Sequence, residues 1–117
     1  MASAFLVRRA ALDQTGLFDE QFPLFFNDVD LCRRLIAAGW EIWYDPRVRI
    51  VHVGGASTRQ VRPQAILRSH EGLRRYYAKH YRGRIPAPAY AAIVGGILVT
   101  GRLRAALARV REIARRA

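Results

Sequence analysis

From Val29 the apolar residues Val29, Cys32, Leu35 and Ile36 recur at steps of three and four up to Gly39. This spacing predicts a helix, with Asn27 or Asp28 standing where an N-cap is needed. Pro63 opens a longer helix through Tyr81, with Ile66, His70, Leu73, Tyr77 and Tyr81 on one stripe and the basic residues mostly off it. Other segments carry strand signatures. Ala4 to Val7 is a short apolar run that turns into a brief helix ending at Gly16, a residue suited to a left-handed C-cap. "EIWYDP" and "VRIVHV" are rich in β-branched and aromatic residues and are parted by Asp45-Pro46, which predicts two short strands and a turn, closed by the loop "GGAS". Between these elements "LFDEQFPLFF" shows no clean period and is expected to be a loop anchored by its phenylalanines.

The last third changes texture. Residues 85–101 carry no charge, but Pro86, Pro88 and the pair Gly95-Gly96 make the stretch too short and too broken for a confident membrane span. From Arg102 onward Leu103, Leu107, Val110 and Ile113 share one helical face, while Arg102, Arg104, Arg109, Arg111, Arg115 and Arg116 occupy most of the rest. The pattern predicts a basic amphipathic helix of the kind that lies in a membrane interface.

Composition narrows the picture. With 117 residues, 51% of them apolar, the chain has the material for one core and no second independent domain. Its single cysteine, Cys32, forms no internal disulfide, zinc-like Cys/His spacing is absent, and the N-terminal stretch lacks the order of a signal peptide, so a cytoplasmic setting is expected. Charge is unevenly spread: residues 1–57 hold six arginines against seven carboxylates, and residues 58–117 hold fourteen Lys and Arg against two. Such asymmetry points to a polyanionic partner for the second half. Nucleic acid is disfavoured, because no helix-turn-helix, zinc-finger or RNA-recognition pattern is present and no aromatics interleave the most basic segment. An anionic membrane surface is the expected partner.

The candidate chemistry lies in "FFNDVDLCRRLIAAGW". Asp28 and Asp30 there suit the first turn of a helix, where carboxylates face the positive end of the helix dipole. A functional reading needs one of them in a cleft, and Phe25, Phe26 and Trp40 could exclude water from it. The wider stretch resembles the second half of the catalytic domain of family 2 glycosyltransferases, in particular the rhamnosyltransferase-like group that builds bacterial cell-surface polysaccharides. The matching residues are Gly16-Leu17-Phe18-Asp19-Glu20, then Asn27-Asp28-Val29-Asp30-Leu31-Cys32-Arg33-Arg34, then Gly39-Trp40, then His52 before Gly54, Gly55 and Ser57.

The resemblance implies an inverting transfer of a sugar, rhamnose in that group, from a nucleotide donor to a polysaccharide or lipid-linked acceptor. Asp28 matches the general base that takes the proton from the acceptor hydroxyl. Asp30 is expected to brace the loop and Arg34 to pair with an acid, Asp19 and Glu20 to serve the acceptor side or the loop, and Trp40 to line the site or the core. His52 matches a position that helps hold the Mg²⁺ or Mn²⁺ on the donor diphosphate, where a hard cation prefers oxygen and a lone imidazole is at most auxiliary. Two departures stand out. Asn27 replaces the family's usual Glu, and the chain lacks the N-terminal strand-helix-strand unit and an Asp-x-Asp motif following a strand, the parts that bind nucleotide and metal in the family.

The expectation is therefore an α/β chain, with residues 1–84 forming the acceptor-side half of a glycosyltransferase-A-type domain and residues 85–117 an apolar segment and basic tail. It would be a fragment or remnant, inactive and binding no cation by itself, peripheral at the inner face of the cell membrane, and prone to self-association through exposed core. The competing expectation is a non-catalytic pseudoenzyme or docking module.

Overall fold

The computed structural model describes residues 4–51 and 62–115, and its described elements are all helical: α1 (Arg9–Thr15), α2 (Asn27–Ala37), α3 (Arg62–Tyr81) and α4 (Ala87–Ala114). The chain divides into two compact units, Met1–Gly54 and Gly55–Ala117. The expected boundary at residues 84/85 falls in the turn between α3 and α4, inside the second unit.

In the first unit α1 and α2 pack on a small core of Ala11, Leu31 and Leu35, covered by Val7, Leu12 and Trp40. α1 stops at Gly16 as its sequence predicts and the Gly16 N–H is donated to Leu12 O at 2.7 Å, but at φ 81° and ψ 168° the glycine lies outside the left-handed helical cap expected there. Gly39 plays the matching part after α2, at φ 87°. The loop between the helices drops Phe22 into the interior at 2% exposure, whereas Leu17, Phe18 and Leu24 remain exposed.

The expectation of an α/β fold is corrected here, since no described residue lies in a strand. Residues 4–8 and 40–45 run without regular structure, as do residues 48–51. The turn between the last two forms: Asp45 O accepts the Val48 N–H at 3.4 Å, and the Asp45 side chain accepts the N–H of Arg47 at 3.0 Å. The ladder does not. Trp43, Tyr44 and Val51 are 84%, 86% and 97% exposed. A helix closes its hydrogen bonds within one segment, but a strand borrows them from a neighbour, and a lone two-stranded pair is marginal in water. The described residues supply no third strand to complete a sheet.

The second unit is an αα-hairpin. α4 runs unbroken through Gly95-Gly96, so the expected interruption between an apolar segment and a separate basic helix is also corrected. Pro86 sits at its N-cap and Pro88 in its first turn, where a missing N–H costs nothing. The two glycines each disfavour helix by about 1 kcal/mol, and packing of the rest of α4 on α3 offsets that. The packed side of α4 is Ile97, Gly101, Ala105 and Ala108. At Gly101 the helices come so close that an added Cβ would lie 2.8 Å from Cγ and 2.9 Å from Cβ of His70.

Candidate active site

The site grows from the entrance of α2. Phe26 stands at the N-cap with φ 70° and ψ 1°, the one non-glycine residue at positive φ among those described. A phenylalanine there costs roughly 1–2 kcal/mol, so the surrounding contacts must hold it in place. Its carbonyl accepts the Asp30 N–H at 2.9 Å. The expectation that Asn27 or Asp28 caps the helix is thereby corrected: both lie inside α2. Their side chains bond locally instead, Asn27 Oδ1 accepting from Asp28 N at 2.8 Å and Asp28 Oδ1 accepting from Val29 N at 3.0 Å.

Asp28 and Asp30 diverge from this common start. Asp30 is fully buried and its Oδ2 accepts from Arg34 Nε at 2.8 Å, one helical turn on. The Arg34 guanidinium then reaches across to the end of α1, where it donates to Thr15 O and Gly16 O and, through Nη2, to Leu17 O at 2.7 Å. One buried carboxylate thus orients one arginine, and that arginine satisfies carbonyls that the end of α1 leaves open. Asp28 is only partly buried on the first turn. Its negative charge is felt by Cys32, whose thiol is pushed up first by burial and then by Asp28. Cys32 is therefore a packed, protonated thiol and a poor nucleophile.

Trp40 spans the same helix pair from the far end of α2. Its ring lies on the Ala11, Leu31 and Leu35 core and its Nε1 donates to Gln14 Oε1 at 2.8 Å. Asp19 turns the loop, accepting the Gln21 N–H at 2.9 Å, and Glu20 is exposed. His52 lies outside the described residues. Sequence reasoning placed Phe26 only as a screen against water and missed its N-cap role, and it missed Gln14 and Thr15, because these roles rest on a strained dihedral or on partners 19 and 26 residues away that no local spacing announces.

A divalent cation on a diphosphate needs several hard oxygen ligands. Among the described residues no group of three His, Cys, Asp or Glu side chains is placed to hold one. Asp30 is engaged by Arg34, so it is not available as such a ligand. These residues do not by themselves make a metal site.

The N-acetylglucosaminyl-diphospho-decaprenol L-rhamnosyltransferases of two Mycobacterium tuberculosis strains, CDC 1551 / Oshkosh and ATCC 25618 / H37Rv, are each 32% identical over 112 residues. That match covers 94% of this chain and 36% of each relative, so the chain spans about a third of their length. No solved structure matches. The family model described as "Glycosyltransferase like family 2" matches residues 2–82, a stretch containing α1, α2 with its paired carboxylates, and Trp40, and the chain belongs to that family.

Proposed function

We propose that this chain is the acceptor-side part of an inverting family 2 glycosyltransferase in which Asp28 is the general base. The observation that carries the reading is the division of labour within one motif: Asp30 is buried and committed to Arg34, while Asp28, two residues earlier, stays within reach of solvent. A hydroxyl is a weak nucleophile until its proton is being removed. Asp28 takes that proton as the acceptor oxygen bonds to the anomeric carbon and the nucleoside diphosphate leaves with the bonding pair of the broken bond. Asp30, Arg34 and Trp40 act through position, by holding α1 and α2 in register. Any divalent cation on the diphosphate, with His52 at most an auxiliary ligand, draws its oxygen ligands from parts of the complete enzyme outside the described residues.

The donor sugar and acceptor are assigned by likeness to the mycobacterial relatives, which are N-acetylglucosaminyl-diphospho-decaprenol L-rhamnosyltransferases. By that likeness the complete enzyme moves rhamnose to a lipid-linked acceptor at the cytoplasmic face of the membrane, and this chain alone does not transfer. In a complete enzyme carrying these residues, Asp28→Asn lowers turnover about 10²- to 10⁴-fold, with donor affinity and melting temperature nearly unchanged. Steady-state transfer assays with a radiolabelled donor, paired with thermal melts, measure both. Near-normal turnover in the variant would remove the base assignment and leave Asp28 only its place in the first turn of α2.

A further inference from the structure

α4 carries two apolar faces, and only one has a partner. Gly101, Ala105 and Ala108, with Ile97, are buried against α3. At about 3.6 residues per turn, Val99, Leu103, Leu107 and Val110 fall on the opposite side. They are 56%, 59%, 58% and 63% exposed. The same geometry places Arg102 and Arg109 along one flank of that face and Arg104 and Arg111 along the other, all exposed. The helix thus has small residues inward, large apolar residues outward and a row of guanidiniums on each side.

We infer that the α3–α4 hairpin is a membrane-surface module that lies flat on an anionic bilayer, its Val99–Leu103–Leu107–Val110 face among the acyl chains and its two arginine rows at the lipid phosphates. The charge pattern selects this occupant. Arginines on both edges of an apolar strip match a plane of phosphates on both sides. A second copy docking by the same face would bring arginine rows against arginine rows, with Glu112 the single carboxylate on α4 to relieve them. A spanning placement also fails, although α4 is long and apolar enough by composition to cross a bilayer. α3 packs along it and carries Arg68, Glu71, Arg74, Arg75 and Lys79, which a crossing helix would drag into the hydrocarbon. The inference goes beyond the transferase reading and holds whether or not Asp28 is a base.

Co-sedimentation of the full chain with phosphatidylcholine vesicles, with and without phosphatidylglycerol, tests it directly. Binding is expected to anionic vesicles and to be released by high salt or alkaline carbonate. Arg104→Gln with Arg111→Gln should weaken binding about thirty-fold, from the worth of two surface arginines, and Leu103→Gln with Leu107→Gln should weaken it at least about tenfold. Because the substituted positions are already exposed, circular dichroism of both variants should stay native. Equal binding to neutral and anionic vesicles, or unchanged binding by the leucine variant, overturns the proposal. Resistance to carbonate extraction overturns the flat placement in favour of a spanning helix. A dimer that the leucine variant converts to monomer, without vesicle binding, overturns it in favour of self-association.

Discussion

The two units solve the problem of unmet partners in opposite ways. In the first, apolar strand-forming residues such as Trp43, Tyr44 and Val51 are left exposed, and order among the described residues rests on Ala11, Phe22, Leu31 and Leu35 and one buried ion pair. In the second, two long helices meet along a small-residue seam and place their ion pairs at the surface, where Glu71 meets Arg74 at 2.7 Å and Arg75 at 2.9 Å. The contrast teaches that helices keep their form on few tertiary contacts, because their backbone bonds are internal. Strands do not. It also separates two kinds of salt bridge: one whose loss strands a charge in the interior, and one that water replaces.

The largest effect should come from Arg34→Ala. It leaves Asp30 buried without its cation and frees the carbonyls at the end of α1, and breaking a buried pair by removing one partner typically costs about 3–5 kcal/mol. Urea melts followed by the fluorescence of Trp40 and Trp43 should show the first unit unfolded or nearly so. A loss below about 1 kcal/mol would show that the pair behaves like a surface bridge and would erase the comparison.

Next comes Gly101→Ala. The added Cβ meets the base of the His70 side chain at 2.9 Å, where no flexible end can swing away. Overpacking of this kind costs about 1–3 kcal/mol, outweighing the roughly 1 kcal/mol that alanine gains over glycine in a helix. A lowered thermal midpoint by far-ultraviolet circular dichroism is the expected result. A raised one would mean that the hairpin is looser at this point than its geometry requires.

The smallest effect belongs to Glu71. The side-chain hydrogen bond from Arg74, with help from Arg75, lowers its pKa from 4.5 to about 2. A lowered carboxylate pKa stabilises the folded state above the unfolded value, and that contribution fades as pH falls from 4.5 towards 2. The Glu71 side chain is more than a third exposed, so solvent screens the pair and the contribution is under about 1 kcal/mol. Glu71→Gln should therefore melt almost as the parent does at neutral pH, and the small difference between them should vanish at the acid end of that window. A large difference would place this pair in the same class as Asp30 and Arg34.

Much of the local order could be read from the chain alone. The periodic stretches that become α2 and α3, the stop at Gly16, the turn at Asp45-Pro46 and the family to which Asp28 and its neighbours belong all follow from residues within a few positions of one another. Such features depend on hydrogen bonds and dihedrals that neighbouring residues settle among themselves. What the chain alone could not determine depends on partners far along it. Strand propensity at residues 41–51 predicts a sheet only if other strands are present to pair with. Asp28 and Asp30 share one residue type and nearly one position, and the placement of Arg34 against the end of α1 makes one of them a buried brace, while the other stays only partly buried. α4 read from sequence is an uncharged stretch followed by a basic tail. The close approach of His70 to Gly101 is what turns it into one helix with a packed face and an open one.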